Sequence, residues 1–269
     1  MLCHRFWYRG LPLPATDLPL LLDAAAAAGD IALRYFKSDP QVWDKAGDQG
    51  PVTEADLAVN DMLTARLRSA QPDYGWLSEE TPDDTARLTT HRQFVIDPID
   101  GTRAFINHSL DWAHALAVVE DGRVTAGVVT LPARGLTFAA TLGGGATLNG
   151  KPLHVTQVTD LAAANVLTTK PNLAPHFWLG GAVPPFSKGF RSSLAYRLCL
   201  VAQGKFDAML TLRPSWEWDI AAGSLIVSEA QGTATDRWGA PLVFNNPYPQ
   251  VDGVLAAGAV HGALRAALV

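Results

Sequence analysis

Residues 97–102 read Asp97-Pro98-Ile99-Asp100-Gly101-Thr102 and follow the apolar run Phe94-Val95-Ile96. By length and residue type that run is a short buried strand. Pro98 cannot donate to a sheet ladder and biases Asp97 toward extended backbone, so the strand is expected to end at Asp97. Gly101 permits a sharp turn or a close approach to a ligand, and Thr102-Arg103-Ala104-Phe105-Ile106 can open a helical turn behind it. Two carboxylates beside a helix N-terminus are compatible when something binds there. A divalent cation satisfies the carboxylates, and an anion such as phosphate satisfies the free N–H groups. Taken alone, the six residues read equally well as an acidic surface turn.

The bulk composition narrows what such a turn serves. A chain of 269 residues suits one large domain or two halves sharing a core. It is 48% hydrophobic and 17% charged with a net charge of −5, and it has no long basic run, which argues against a nucleic-acid polymer as partner. Cys3 and Cys199 are too few for a disulfide framework, and the apolar run Leu18 to Leu22 is broken by Asp23. Neither that run nor the basic stretch Met1 to Gly10 reads as a signal peptide or a membrane span, so the expectation is a cytoplasmic protein with no membrane partner.

Outward from the turn, Asp17 can N-cap a helix from about Leu18 to Lys37, and Ala46 to Pro51 is a loop by composition. A second helix starts at Thr53, whose hydroxyl can reach the N–H of Asp56, and Val59, Leu63 and Leu67 give it a buried stripe. Asp56 in that first turn is either a capping residue and nothing more, or part of a site. Tyr74 to Leu77 reads as a strand ending at Ser78-Glu79-Glu80, and Thr81 to Arg92 as a linker or surface helix. Trp112 to Glu120, the turn Asp121-Gly122, and Arg123 to Leu131 form a hairpin pattern, followed by a strand from Leu136 to Thr141 and the turn pair Asn149-Gly150. Residues 1–150 are thus expected to form an N-terminal α+β half with a mostly antiparallel sheet.

From Lys151 onward, strands alternate with helices: Asn165 to Thr169, a helix capped by Ser192 or Ser193, Phe206 to Leu212, and a helix over Ile220 to Ala230. Residues 151–269 are expected to form an α/β half. Three acidic patches, Glu79-Glu80, Asp97/Asp100 and Asp219, share one placement, where a strand ends or a helix begins. Each alone is compatible with a structural role.

Together they resemble the inositol monophosphatase superfamily of magnesium-dependent, lithium-sensitive phosphatases. That family is marked by a Glu-Glu pair, then D-P-[IL]-D-G-T, then a distant W-D-x-x-A. The matches are Glu79-Glu80, Asp97 to Thr102 and Trp218-Asp219-Ile220-Ala221-Ala222, with Val52-Thr53-Glu54-Ala55-Asp56 fitting an upstream V-T-x-x-D. Asn149-Gly150-Lys151 and Ser228 to Gly232 fit further positions, so the resemblance covers about residues 18 to 260. It implies the sugar-phosphatase fold, a layered α/β/α/β/α sandwich with the site between the halves, and a homodimer.

The resemblance also implies a ligand set. Glu79, Asp97 and the backbone carbonyl of Ile99 hold a first Mg²⁺, Asp97, Asp100 and Asp219 a second, and Glu79 a weaker third. Asp56 accepts from Thr102, and Thr102 with Glu79 deprotonates the attacking water. The N–H groups of Gly101 and Thr102 hold phosphate oxygens, and Asp100 positions the water that protonates the leaving group. Phosphate monoester hydrolysis needs such a pattern. Its transition state spreads charge over non-bridging oxygens, and two hard cations on oxygen ligands stabilise the entering and leaving oxygens. Attack by water without a phosphoenzyme is expected.

For the substrate, a small phosphorylated molecule, the family's inositol branch follows D-G-T with N-F-x-H, whereas this chain has Arg103-Ala104-Phe105-Ile106. An acidic residue of the inositol branch falls on Leu212 here, and Ser192-Ser193-Leu194 resembles the helix start of the 3′(2′),5′-bisphosphate nucleotidases. Lys45, Arg103, Arg191 and Arg197 are candidates to hold a second phosphate, each with a solvated surface role as its alternative. The nucleotidase is the first expectation, with an inositol monophosphatase, a histidinol phosphatase or a broad phosphatase next. A non-catalytic member that keeps the fold for binding stands last, because every ligand position matches.

Overall fold

The structure, a computed structural model, describes residues 17–45 and 50–269. Cys3, the stretch Met1 to Gly10 and positions 46–49 of the expected loop lie outside the described residues. In chain order the elements are α1 (Asp17–Tyr35), β1 (Val42–Asp44), β2 (Pro51–Thr53), α2 (Glu54–Ala70), β3 (Gly75–Ser78), β4 (Arg92–Asp100) and α3 (Thr102–Ile106). Then come β5 (Ala113–Glu120), β6 (Arg123–Leu131), β7 (Leu136–Thr141), β8 (Gly145–Leu148) and β9 (Lys151–Pro152). The chain continues with β10 (Asn165–Leu167), β11 (Ser187–Gly189), α4 (Leu194–Ala202), β12 (Ala208–Thr211), β13 (Ser215–Trp216) and α5 (Glu217–Glu229). It closes with β14 (Thr233–Thr235), β15 (Gln250–Val251), β16 (Val254–Ala257) and α6 (His261–Ala266).

Two sheets organise the molecule. The first has seven strands in the order β3-β4-β5-β6-β7-β8-β9, all antiparallel except the β3–β4 pair. The second has five strands, β11-β10-β12-β16-β14, parallel across β11-β10-β12 and antiparallel across the rest. Side-chain alternation along a strand decides what each face meets. In β5, Leu116 and Val118 point to the cluster built from α1 and α2, while Ala113, Ala115, Ala117 and Val119 point to the cluster that holds α4 and α5. The small residues on that second face let a helix approach closely. A Cβ at Gly127 of β6 would come within 3.0 Å of the α5 backbone at Ala222. The far faces of α4 and α5 meet the second sheet, whose outer face carries α6 and the Trp178 cluster. The layers are therefore α/β/α/β/α, as the family resemblance implies, and one core cluster runs from Val95 of the first sheet to Met209 of the second.

Several boundaries differ from the sequence expectation by a few residues, α5 starting at Glu217 and not Ile220 among them, and two need a physical reason. The strand through Phe94-Val95-Ile96 does not end at Asp97. It continues to Asp100, with the ladder to β5 shifted between Asp97 and Asp100, because a bulge absorbs Pro98 instead of breaking the strand. Asp17 lies inside α1, where its carboxylate accepts from Tyr74 Oη at 3.2 Å. The Asp121-Gly122 hairpin is present, with both residues at positive φ, 47° and 81°. No helix among the described residues is long and apolar enough to cross a membrane.

Candidate active site

The site is assembled where β3, β4 and two helix starts converge. Parallel pairing of β3 with β4 sets Ser78 beside Ile96, and Glu79 N–H donates to the Ile96 carbonyl at 3.2 Å. That brings the end of β3 alongside the Asp97 bulge. Behind the bulge, buried His114 contacts the Pro98 carbonyl through Nδ1. Burial pushes the His114 imidazole down to about 4, so the ring is neutral and donates that proton. Gly101 then turns the chain with φ at 94°, and a Cβ there would come within 3.1 Å of the Asp111 carbonyl. Thr102 opens α3 with its Oγ1 donating to Asp56 Oδ1 and to the Ile99 carbonyl, both at 3.2 Å.

Asp56 is held by the start of its own helix. Thr53 N–H and Oγ1 donate to Asp56 Oδ2 at 2.8 and 2.5 Å, and the Thr53 hydroxyl caps α2 in return. Both sequence readings of Asp56 are therefore occupied at once, one carboxylate oxygen capping and the other taking Thr102. Burial raises its pKa to about 6 despite these bonds.

Glu79, Asp97 and Asp219 each bring one carboxylate oxygen to within 4.8 Å of the others. Glu79 follows β3, Asp97 lies on β4, and Asp219 comes from the first turn of α5 in the layer between the sheets. Asp97 is fully buried, and neither of its carboxylate oxygens has a hydrogen-bond partner. Burial first, and then the neighbouring carboxylates, hold Asp97 and Asp219 well above the ordinary carboxylate range. A buried carboxylate lacking donors, with two more carboxylates beside it, fits a bound divalent cation, which satisfies oxygens that no protein group satisfies.

Asp100 borders this cluster but is anchored to the second half of the chain. Its Oδ2 accepts from Ser193 Oγ and from the Ala195 N–H, each at 2.6 Å, at the capped start of α4. Burial raises it to about 6, opposed by those two donors. Oδ1 remains for another partner. Ile99 has its carbonyl engaged by Thr102, and a carbonyl oxygen retains a second lone pair.

The four basic candidates diverge. Lys45 Nζ lies 2.7 Å from Glu79 and 2.5 Å from Glu80, so its charge is committed to the acidic pair. Burial opposes its protonated form, but the two carboxylates prevail and hold the ammonium charged. Glu80 is raised to about 7 by burial and by Glu79, against the pull of Lys45. Arg197 is buried under Phe190, with its guanidinium 4.8 Å from that ring. It donates to the carbonyls of Arg191 at 2.5 Å and Ser192 at 3.3 Å. Arg191 turns to the Phe190 carbonyl and toward Asp111. Of the four, only Arg103 is both exposed and beside the Asp97–Thr102 turn, where it lines a cavity of about 280 Å³ with Glu79, Asp100, Gly101 and Thr102.

Sequence reasoning missed His114, which stood among scattered histidines with no metal spacing. No sequence signal pointed to it, because the pairing of β5 with β4 that brings it to Pro98 is decided by the tertiary structure. It also missed the bond of Asp100 to Ser193, residues 93 positions apart.

A layered α/β/α/β/α sandwich with paired buried carboxylates beside an aspartate-held threonine belongs to the class of phosphoric monoester hydrolases. Residues 16–269 match the inositol monophosphatase family, and the chain belongs to it. It is 34% identical over 251 residues to the 3′-phosphoadenosine 5′-phosphate phosphatase of Mycobacterium leprae, covering 87% of this chain and 86% of that one. Similarity also extends to the histidinol-phosphatase of Chlorobaculum parvum, 31% over 257 residues and 91% and 93% of the two chains. Among solved structures, an IMPase of Thermotoga maritima superimposes with a TM-score of 0.80 at 27% identity, over 93% of this chain and 94% of that one.

Proposed function

We propose that the chain is a Mg²⁺-dependent 3′(2′),5′-bisphosphate nucleotidase that converts 3′-phosphoadenosine 5′-phosphate to adenosine 5′-phosphate and phosphate. The chemistry is carried by one observation: Asp97 is sealed from water with no donor on either oxygen, facing Glu79 and Asp219. The substrate reading is supported by the Ser192-Ser193-Leu194 helix start, by Arg103 at the rim of the cavity, and by similarity to the Mycobacterium leprae phosphatase.

Mg²⁺ held by Glu79, Asp97, Asp100, Asp219 and the Ile99 carbonyl would supply Lewis-acid charge that makes water acidic and offsets the phosphate. The protein groups do the rest. Thr102 shares its proton between Asp56 and the Ile99 carbonyl, which fixes the hydroxyl and leaves its oxygen lone pairs to orient the attacking water. Glu79 takes that water's proton as general base. The N–H groups of Gly101 and Thr102 hold non-bridging oxygens of the scissile phosphate. Asp100, steadied by Ser193, positions the water that protonates the departing ribose oxygen. Arg103 faces the second phosphate from the rim.

The test is phosphate release with Mg²⁺ from 3′-phosphoadenosine 5′-phosphate, inositol 1-phosphate and histidinol phosphate under identical conditions. The nucleotide should have the highest kcat/KM, and a single turnover in H₂¹⁸O should place one labelled oxygen in the phosphate. A preference for either other ester overturns the substrate, and net retention of configuration at the phosphorus of a chiral thiophosphate ester, where a single displacement inverts it, overturns direct attack by water.

A further inference from the structure

A second cleft, of about 560 Å³, opens on the other side of Glu79. Glu79 lines both this cleft and the one that holds Gly101 and Arg103, so the carboxylate cluster stands at their junction. Its walls differ in kind from the Arg103 side. Trp216 and Trp218 stack with ring centroids 4.7 Å apart and planes 8° from parallel, and Tyr248 leans on Trp216 at 5.4 Å and 50°. Pro82 and Pro247 complete the apolar rim, and no lysine or arginine among the described residues lines it. A second phosphate has no partner there. A flat apolar ring does.

The corner is fixed before any ligand arrives. Trp216 pairs with Gln250 in the short β13–β15 ladder, and Glu217 N–H donates to the Pro249 carbonyl at 3.0 Å. Buried Glu217 accepts from the N–H groups of Asn245 and Asn246 at 2.7 and 2.8 Å. Buried Arg87 donates to Asn245 at 2.7 Å and to the Asn246 carbonyl at 2.9 Å while holding Asp83 on the facing loop. Two buried charged residues thus tie down the loop that carries Tyr248, itself 66% exposed. An exposed tyrosine on a braced loop beside stacked tryptophans is a rigid platform, which loses little entropy when a ring settles on it.

We propose that Trp216, Trp218 and Tyr248 form the subsite for the nucleobase of the phosphate ester whose scissile phosphate sits at Glu79, Asp97 and Asp219. The identity of the ring as adenine rests on the nucleotidase reading, whereas the preference for a planar aromatic group rests on the corner alone. The carboxylates of Glu79 and Glu80 along this wall make it unsuited to a second anion. Stacking needs only a π-face from the ligand and tolerates ring identity.

The experiment is isothermal titration of the Mg²⁺-loaded protein with adenosine 5′-phosphate and with ribose 5-phosphate, which lacks the base. The nucleotide should bind the unaltered protein roughly 5- to 150-fold more tightly, the range for stacking one base on aromatic side chains. Trp216→Ala and Tyr248→Ala should each bring that ratio toward one, and Trp216→Phe should keep most of it. Tyr248→Ala alters an exposed loop residue, so it decides the matter if Trp216→Ala disturbs the start of α5. Equal binding of the two ligands, or a ratio that survives both alanine variants, overturns the proposal. Should 3′-phosphoadenosine 5′-phosphate prove a poor substrate while the ratio behaves as expected, the nucleotidase reading falls and the aromatic subsite stands.

Discussion

Replacing Asp97 with asparagine should stabilise the metal-free protein and abolish its response to Mg²⁺. Asp97 is fully buried with no donor on either oxygen, and carboxylate oxygens of Glu79 and Asp219 lie within 4.8 Å. At an effective dielectric constant near 20, each like-charge contact at such a distance costs about 3–4 kcal/mol when both groups are ionised. Proton uptake relieves part of this, which is why Asp97 and Asp219 are both raised. The asparagine amide carries no charge, keeps the shape and offers N–H donors to the neighbouring carboxylates. Removing an uncompensated buried charge should yield about 1–4 kcal/mol, or about 2–16 °C in melting temperature for a chain of this size. Mg²⁺ at a hundredfold excess over its Kd should add about 2.7 kcal/mol to the unaltered protein and almost nothing to Asp97→Asn. Thermal melts at pH 8, with EDTA and then with Mg²⁺, read both quantities. Adding Mg²⁺ should shift the stability difference between the two proteins by about 2.7 kcal/mol in the parent's favour. A variant that melts lower than the parent in EDTA, or that keeps the Mg²⁺ gain, refutes the assignment of Asp97 as a metal ligand.

Three further outcomes follow from particular contacts. Burial holds Asp56 near 6 against 3.8 ordinarily, so the folded chain binds more protons than the unfolded one between those values. This contribution therefore lowers stability as pH rises from about 4 to 6–7, by about 3 kcal/mol. Urea midpoints in EDTA should fall less with rising pH in Asp56→Asn than in the parent; equal slopes would contradict the raised value. His114→Leu leaves the buried Pro98 carbonyl without its donor, which should cost about 1–3 kcal/mol of stability and raise the Mg²⁺ concentration for half-maximal activity. An unchanged Mg²⁺ requirement would show that His114 does not set the bulge. Arg197→Ala removes the guanidinium holding two backbone carbonyls under Phe190 and should cost about 1.5–3 kcal/mol. It should lower kcat/KM by similar factors for the bisphosphate and for inositol 1-phosphate; a loss confined to the bisphosphate would make it a phosphate ligand after all.

The helix stripe at Val59, Leu63 and Leu67, the Thr53 N-cap, the Asp121-Gly122 hairpin and a cap at Ser192 or Ser193, which the structure resolves to Ser193, were all legible in the sequence. Each is decided by residues within a few positions of one another, where backbone geometry leaves little choice. The bulge at Pro98 was not. Whether proline ends a strand or is absorbed by it depends on the neighbouring strand, and here β5 supplies both the continued ladder and the His114 contact to the freed carbonyl. The basic residues were the least legible. Charge along a sequence says nothing about which acid a long side chain will find, and Lys45 finds Glu79 and Glu80 across 34 and 35 positions.

By itself the sequence determined the kinds of chemistry available: hard oxygen ligands at three strand or helix ends, a threonine behind a flexible glycine, and a capping aspartate. Those follow from residue type and short-range spacing, which fix local conformation and ligand character. Only the tertiary structure decided which of these groups meet. Parallel pairing of β3 with β4 brings Glu79 to Asp97, and the close approach of α5 over Gly127 brings the element bearing Asp219 to the same sheet. It likewise took Lys45 and Arg197 out of the rim and left Arg103 there. Long-range packing made those choices, because the buried area of a layered core, not the preference of any single side chain, sets where the ends of its elements converge.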